Sequence, residues 1–269
     1  MLYWPEFEFD FRLDVRRLFP HILAIEAFSG AASCRVLPPQ WRAQPASTRG
    51  GNETPESSQS RIDGRKEELV SRNINAPQAW VKERFPPGSA PFSLADILKM
   101  HKLVANETGV HYQAENSLRT AGVLVGRREA GGIHAGAPPE RLLLLMKQYV
   151  DFINAGGLRN LPPGIHALIA HFFFTTIHPF DDGNGRVSRL VSAAILFQRG
   201  YNGHGFYALS NYFYQNDIKY HTLLHECWQK PLPFDLTAFI AFGLEGLALE
   251  LQGIDNFVRV KLHRAVKLS

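Results

Sequence analysis

Apolar residues recur along most of this chain at the three- and four-residue spacing of helices that bury one face. Over residues 14–30, DVRRLFPHILAIEAFSG, they fall at Ile22, Leu23, Ala27 and Phe28. This predicts a helix with Pro20 in its first turn and Gly30 as its stop. VLPPQW (36–41) reads as extended, because the residue before a proline avoids the helical region. A helix is expected between Glu67 and Phe85, with a break at Pro77 and with Trp80 and Val81 facing inward. Ser93 opens the next, SLADILKMHKLVANETG, with Asp96 as its capping-box partner and Gly109 as its end. Pro138 and Pro139 start a helix to about Asn154, with a core stripe at Leu142–Met146 and a stop at Gly156 and Gly157. After Leu161-Pro162-Pro163 an apolar helix runs to about Ile177, and another runs from about Asn184 to Arg199, capped by Gly200. Two more are expected over about 211–229 and 235–263. The one β pattern is VLVGRREAGGIH (123–134), two short extended runs around a glycine-containing turn, which predicts a hairpin. About seven or eight helices and one hairpin make the expected fold all-α, with no internal repeat.

Composition limits what such a chain can be. Its 269 residues are 45% hydrophobic and 20% charged, which excludes a disordered, collagen-like or disulfide-built protein. The two cysteines, Cys34 and Cys227, fit a reducing compartment. Residues 45–65, PASTRGGNETPESSQSRIDGR, hold Ile62 as their only large aliphatic side chain, so they read as a linker or as a loop ordered only when docked. The first ten residues are aromatic and acidic, unlike a signal peptide, and no run of about 18 apolar residues occurs. The expectation is a cytoplasmic protein without a membrane partner. A formal charge of +4, spread along the chain, suits phosphate handling but does not point to nucleic acid, and no recognition helix stands out.

One junction between two apolar helices carries unusual chemistry: His178-Pro179-Phe180-Asp181-Asp182-Gly183-Asn184-Gly185-Arg186-Val187-Ser188-Arg189. A plain connector needs one polar turn. This one offers an imidazole, two carboxylates, two glycines and two arginines. Gly183 and Gly185 lie where the second helix begins, so backbone can approach a ligand there, and the free N–H groups of a helix N-terminus favour phosphate. Arg186 and Arg189, three apart, share a face and suit several phosphate oxygens. Asp182 is the candidate magnesium ligand, since that ion takes one or two carboxylates beside substrate phosphates. His178 is the group best suited to accept a proton near neutral pH. Spacing alone does not give the reaction.

The segment resembles the motif of the Fic (fido) family, H-x-F-x-[DE]-G-N-G-R-x-x-R, matching it at His178, Phe180, Asp182, Gly183, Asn184, Gly185, Arg186 and Arg189. The similarity extends from about Phe92 to Gly246. It implies a helical bundle with a small β-hairpin flap, and a transferase that moves AMP from ATP onto a Ser, Thr or Tyr hydroxyl of a target protein, with magnesium. By that resemblance His178 is the base. Asp182 holds the metal. Gly183, Asn184 and Gly185 form the anion nest, Arg186 and Arg189 bind the β- and γ-phosphates, and Phe180 supports the loop. The hairpin becomes a flap that holds the target strand by β-augmentation, through Val123, Leu124, Val125, Ile133 and His134. Adenine is expected near Asn216, Lys219 and Tyr220, with Tyr220 stacking on the base. Relatives that transfer phosphate or UMP, or remove AMP, and a nucleotide-binding regulator without catalysis, stand as alternatives.

The implied organisation is an N-terminal helical segment (1–44), a polar linker with a connecting helix (45–91), a Fic catalytic domain (92–247) and a C-terminal helix (248–269). Two departures accompany the resemblance. The inhibitory pattern [ST]-x-x-x-E-[GN] has no strict match; SSQSRIDG (57–64), with Asp63 in place of Glu, is the nearest phrase to a self-inhibitory segment that would pair with Arg189. The last helix runs nearly to Ser269 without a clear stop, as a fragment or a short form would.

Overall fold

The computed structural model describes Trp4 and residues 7–33, 77–105, 118–127, 132–201, 209–230 and 232–267. The expectations for Cys34, for residues 36–76 with Asp63 among them, for Gly109 and for the tip of the hairpin lie outside the described residues. The architecture is all-α. In chain order it contains β1 (Phe11–Arg12), α1 (Val15–Ser33), α2 (helical over 77–84), α3 (Leu94–Ala105), β2 (Leu124–Arg127), β3 (Gly132–Ala135), a 3-10 turn at Pro139–Arg141 and α4 (Leu142–Asn154). It continues with α5 (Gly156–Arg159), α6 (Pro163–Ile177), α7 (Asn184–Gln198), α8 (Leu209–Gln215), α9 (Asp217–Trp228), β4 (Phe234–Asp235) and α10 (Thr237–Lys267). No helix among the described residues is long and apolar enough to cross a membrane.

The bundle is organised around α6. Every residue of this helix is buried, the condition under which a helix can be apolar on all sides. It packs against α4, α5, α7 and α10. Some of its polar atoms are paired internally: His166 Nε2 donates to Ile153 O at 2.9 Å, and Thr176 Oγ1 donates to Phe172 O at 2.8 Å. The C-terminal end of α6 therefore delivers His178 from inside the protein, on a rigid support.

The aromatic N-terminus belongs to this core. Phe9 stacks on Phe152 at 4.9 Å and packs on Phe173 at 5.3 Å, and β1 pairs in parallel with β4 through Phe11↔Phe234 and Arg12↔Asp235. Helix α1 then lies along α10. It starts a turn earlier than proline placement predicts, at Val15, because Asp14 accepts the Arg16 N–H at 3.1 Å and acts as the cap. Pro20 therefore sits inside the helix. The buried face carries Leu18 and Ile25, with Ile22 of the expected positions packed against the core and Leu23 53% exposed.

Other boundaries follow local chemistry. In the capping box of α3, Ser93 Oγ accepts the Asp96 N–H at 3.2 Å and Asp96 Oδ2 accepts the Ser93 N–H at 2.9 Å. Val81 is buried and Trp80 packs against the core, as expected. On α4 the inward residues are Leu142, Leu145 and Met146, while Leu143 and Leu144 face out. Gly156 and Gly157 begin the single turn of α5 instead of ending in a loop. The helix expected over 211–229 is two: Asn216 leaves the helical region and its Nδ2 donates to Tyr212 O at 2.9 Å, closing α8 before α9 begins. The boundary drawn at 247/248 falls within the unbroken α10.

Candidate active site

The loop from His178 to Gly183 joins α6 to α7, and its shape is set by buried contacts. Phe180 is fully buried and its ring lies flat on His101, 3.7 Å between centroids and 5° between planes. Asn184 is also buried. Its Oδ1 accepts the Phe180 N–H at 2.9 Å and its Nδ2 donates to Phe180 O at 2.7 Å, so this side chain closes the loop on itself. His101 Nε2 donates to Asp182 O at 3.2 Å, which places α3 under the acidic side of the loop.

His178 ends α6 in a left-handed conformation, φ 54°, ψ 63°, a region unfavourable for a residue with a Cβ. Its N–H donates to Phe174 O at 3.0 Å. Its Nδ1 lies 3.3 Å from Thr175 O. A carbonyl only accepts, so this bond puts the proton on Nδ1 and leaves the Nε2 lone pair available. Burial, and after it the charge of Arg119, lowers the imidazole pKa to about 4 against the favourable pull of the Thr175 carbonyl and Asp182. The ring is thus neutral at pH 7, as a proton acceptor must be.

Gly183 caps α7 with φ 80°, ψ 0°, and a Cβ there would lie 3.2 Å from Val104; only glycine takes this turn without strain. The first helical bond runs from the Val187 N–H to Gly183 O at 2.9 Å. The N–H groups of Asn184, Gly185 and Arg186 precede it and have no intrahelical acceptor. Beside them, Arg186 Nη2 pairs with Asp182 Oδ2 at 3.1 Å, and its Nη1 donates to Val104 O at 3.3 Å. Asp182 is exposed.

Arg189 differs from Arg186. Burial lowers its pKa; the Tyr220 hydroxyl offsets this, and Arg186 adds to it. Among the described residues no carboxylate pairs with it. A Cβ on Gly185 would lie 3.3 Å from its Nη1, so the bare backbone of the helix start and this guanidinium are neighbours.

The structure therefore brings His178, Asp182, Gly183, Asn184, Gly185, Arg186 and Arg189 together. Tyr220 reaches the same region from below. It is buried, its hydroxyl is hydrogen-bonded to His171 Nε2 at 2.8 Å, and its ring packs on Phe213 at 4.8 Å. The adenine-stacking role expected for it meets a ring already packed in the core. Lys219 Nζ lies 5.0 Å over the Phe242 ring, and Asn216 is spent on capping α8.

The hairpin forms as expected, one residue later: Leu124 pairs with Ala135, Val125 with His134 and Gly126 with Ile133. Val125 and His134 face the protein. His134 stacks on Trp228 at 4.3 Å and its Nε2 donates to Thr176 O at 3.1 Å, and burial lowers its pKa to about 4. Leu124 is 66% exposed, and Val123 packs at the edge of the core. Gly136 N–H to Val123 O extends the pairing at the base of the hairpin, and Ala137 N–H to Ile177 O ties it to the end of α6, both at 3.0 Å. Among the described residues the sheet has two strands, so each has an unpaired edge. Sequence reasoning missed Arg119 and His101. Both act through main-chain carbonyls, which leave no trace in a residue pattern.

Residues 91–196 match the model of the Fic/DOC family. Over 109 residues, 40% of this chain, the sequence is 35% identical to a protein of Drosophila grimshawi named protein adenylyltransferase Fic. Over 110 residues it is 34% identical to protein adenylyltransferase fic-1 of Caenorhabditis elegans. The chain spans about a fifth of the length of these curated relatives, 21% and 20%. Among solved structures, a Fic family protein from Desulfovibrio desulfuricans G20 superposes with a TM-score of 0.57 at 21% identity, covering 90% of this chain and 64% of that one. A Fic-1 structure from C. elegans gives 0.60 at 17% identity, covering 90% and 73%. The fold is shared with both. The loop and the helices that hold it fall within the residues that match the Fic/DOC family model, so this part of the chain is similar to Fic proteins in sequence and in fold.

Proposed function

We propose that this chain transfers AMP from ATP to a hydroxyl of a target protein. The observation that carries the reading is the cation Arg189, half-buried beside Arg186 with no carboxylate partner among the described residues, at a helix start whose N–H groups lack intrahelical acceptors. Such a site suits an anion of high charge. A triphosphate supplies one, with its β- and γ-phosphates toward the arginines and the α-phosphate toward the loop. His178 stands at the other end of that loop with Nε2 available.

In the reaction, His178 Nε2 takes the proton of the acceptor hydroxyl. The oxygen attacks the α-phosphorus, the bond from that phosphorus to the bridging oxygen breaks, and pyrophosphate leaves. Asp182 suits a magnesium ion, being an exposed hard carboxylate next to the phosphate side of the loop. Bound there, the ion would neutralise charge on the departing pyrophosphate. The exposed edge of the hairpin is where an extended segment of the target would pair, beside His178.

The test is incubation with lysate and magnesium, using ATP labelled on the α-phosphate in one arm and on the γ-phosphate in the other. The expected result is label from the α arm alone, falling by about 10²–10⁴ in His178→Ala while ATP binding stays. Label from the γ arm would make the chain a phosphate-transferring relative. Equal labelling by His178→Ala would remove the base from the mechanism.

A further inference from the structure

His178 is held by a side chain that lies outside the motif. Arg119 precedes β2, is 3% exposed, and uses its guanidinium on main-chain carbonyls. Its Nε donates to His178 O at 2.7 Å, Nη1 to Ala121 O at 2.5 Å, and Nη2 to Ala137 O and, at 3.5 Å, to Ile177 O. Its own N–H donates to Pro179 O at 3.0 Å. The acceptors come from two places. Ala121 and Ala137 flank the hairpin at its base, whereas Ile177 ends α6 and His178 and Pro179 begin the loop. One planar fork therefore joins the root of the hairpin to the backbone of the candidate base.

Gly136 belongs to the same junction. A Cβ there would lie 2.8 Å from Val123 Cγ1, 3.0 Å from Arg119 Nη2 and 3.3 Å from His178 Cβ. Any larger residue would have to displace Val123 and would crowd the guanidinium and the histidine. The need for such a clamp follows from the His178 backbone, which is left-handed and would relax if its carbonyl lost its donor.

We infer that Arg119 is a positioning residue: it locks the left-handed backbone of His178, and with it the direction of the imidazole, to the base of the hairpin, and Gly136 is bare to admit it. The purpose of the positioned imidazole rests on the transfer reading above; the clamp itself does not. Lysine at 119 keeps the charge but is a point donor and cannot reproduce the fork.

The experiment compares wild type, Arg119→Lys and Gly136→Ala. Two readouts are taken on folded protein: kcat and KM for ATP in transfer, and the ring nitrogen signals of His178 in ¹⁵N-histidine-labelled protein, assigned by their loss in His178→Ala. Wild type is expected to show the Nδ1–H tautomer. Both variants are expected to show a mixed tautomer and a kcat lower by about 10–100-fold, with KM for ATP within about threefold, since a misplacement near 1 Å costs about that much in rate. Unchanged ring signals with unchanged kcat in both variants would overturn the clamp, as would a rise in KM alone. If wild type transfers nothing from any nucleotide, the transfer reading fails, and the ring signals still decide the clamp. Should both variants fail to fold, wild type decides. An Arg119 Nε–H that exchanges far more slowly than exposed arginines supports the clamp, and one that exchanges as fast overturns it.

Discussion

Arg189→Met separates what this guanidinium does for nucleotide from what it does for the fold. The side chain is drawn into the protein, where burial disfavours its charge, Tyr220 favours it and Arg186 opposes it. Methionine keeps most of the apolar stem and removes the cation. Without nucleotide the variant loses one interaction with Tyr220 but sheds the cost of a half-buried charge and the repulsion from Arg186. Replacing buried charge by an apolar side chain of similar volume is commonly neutral or stabilising. The expected change is therefore from about 0 to +1 kcal/mol, a rise in Tm of up to about 4 °C for a chain of this size. With ATP the sign reverses. A hydrogen bond to a charged group contributes about 1.5–3 kcal/mol, so affinity should fall by about 10–150-fold. Thermal melts without nucleotide and calorimetric ATP titration, both in a His178→Ala background to prevent turnover, measure the two effects separately. A variant that melts more than about 4 °C lower and binds ATP within twofold of the parent would show that Arg189 serves the fold, and the phosphate argument would fail.

Asp182→Asn preserves shape and removes charge. Because the Asp182–Arg186 pair is partly exposed, stability should change by less than about 1 kcal/mol, while the magnesium needed for half-maximal transfer rises at least about tenfold; a superimposable magnesium titration removes Asp182 from the site. Asn184→Ala strips both partners from the buried Phe180 peptide groups, at about 1–3 kcal/mol each, and urea melts should register a loss of at least about 2 kcal/mol. A loss under about 0.5 kcal/mol would mean the loop does not depend on that side chain. Acid should destabilise the protein early. His134, His166 and His171 are held neutral by burial, with pKa values lowered to about 4, about 4 and about 3. The unfolded chain takes these protons near pH 6.5 and the folded one resists them, so stability is full above about pH 6.5 and is lost as pH falls toward about 4. At pH 5 each contributes a loss on the order of 2 kcal/mol, and equal urea midpoints at pH 7.5 and pH 5 would contradict this.

What the sequence determined is what is local. Helices α6 and α7 and the loop between them were legible to within a residue, because a proline start, a glycine turn and an apolar run act on neighbours along the chain. The residues that line the loop were legible for the same reason: His178, Asp182, Gly183, Gly185, Arg186 and Arg189 lie within twelve positions. The capping box at Ser93 and the hairpin were read from equally short spans. The tertiary structure decided what depends on a distant partner. Periodicity shows that residues 15–33 can be a helix, but only the approach of α10, over two hundred residues away, makes Leu18 and Ile25 its buried face. The β1–β4 pairing joins Phe11 to Phe234, and backbone hydrogen bonding between such remote segments has no sequence period. The loop-closing bonds of the Asn184 side chain to both peptide groups of Phe180 were not legible, because they depend on how the loop folds back. That Tyr220 is bonded to His171 could be seen only in the fold. Nothing in the residue pattern marks Arg119. Only folding brings the carbonyls of Ala121, Ala137 and His178 within reach of its guanidinium, because main-chain acceptors are the same at every residue and only their placement in space makes them a site.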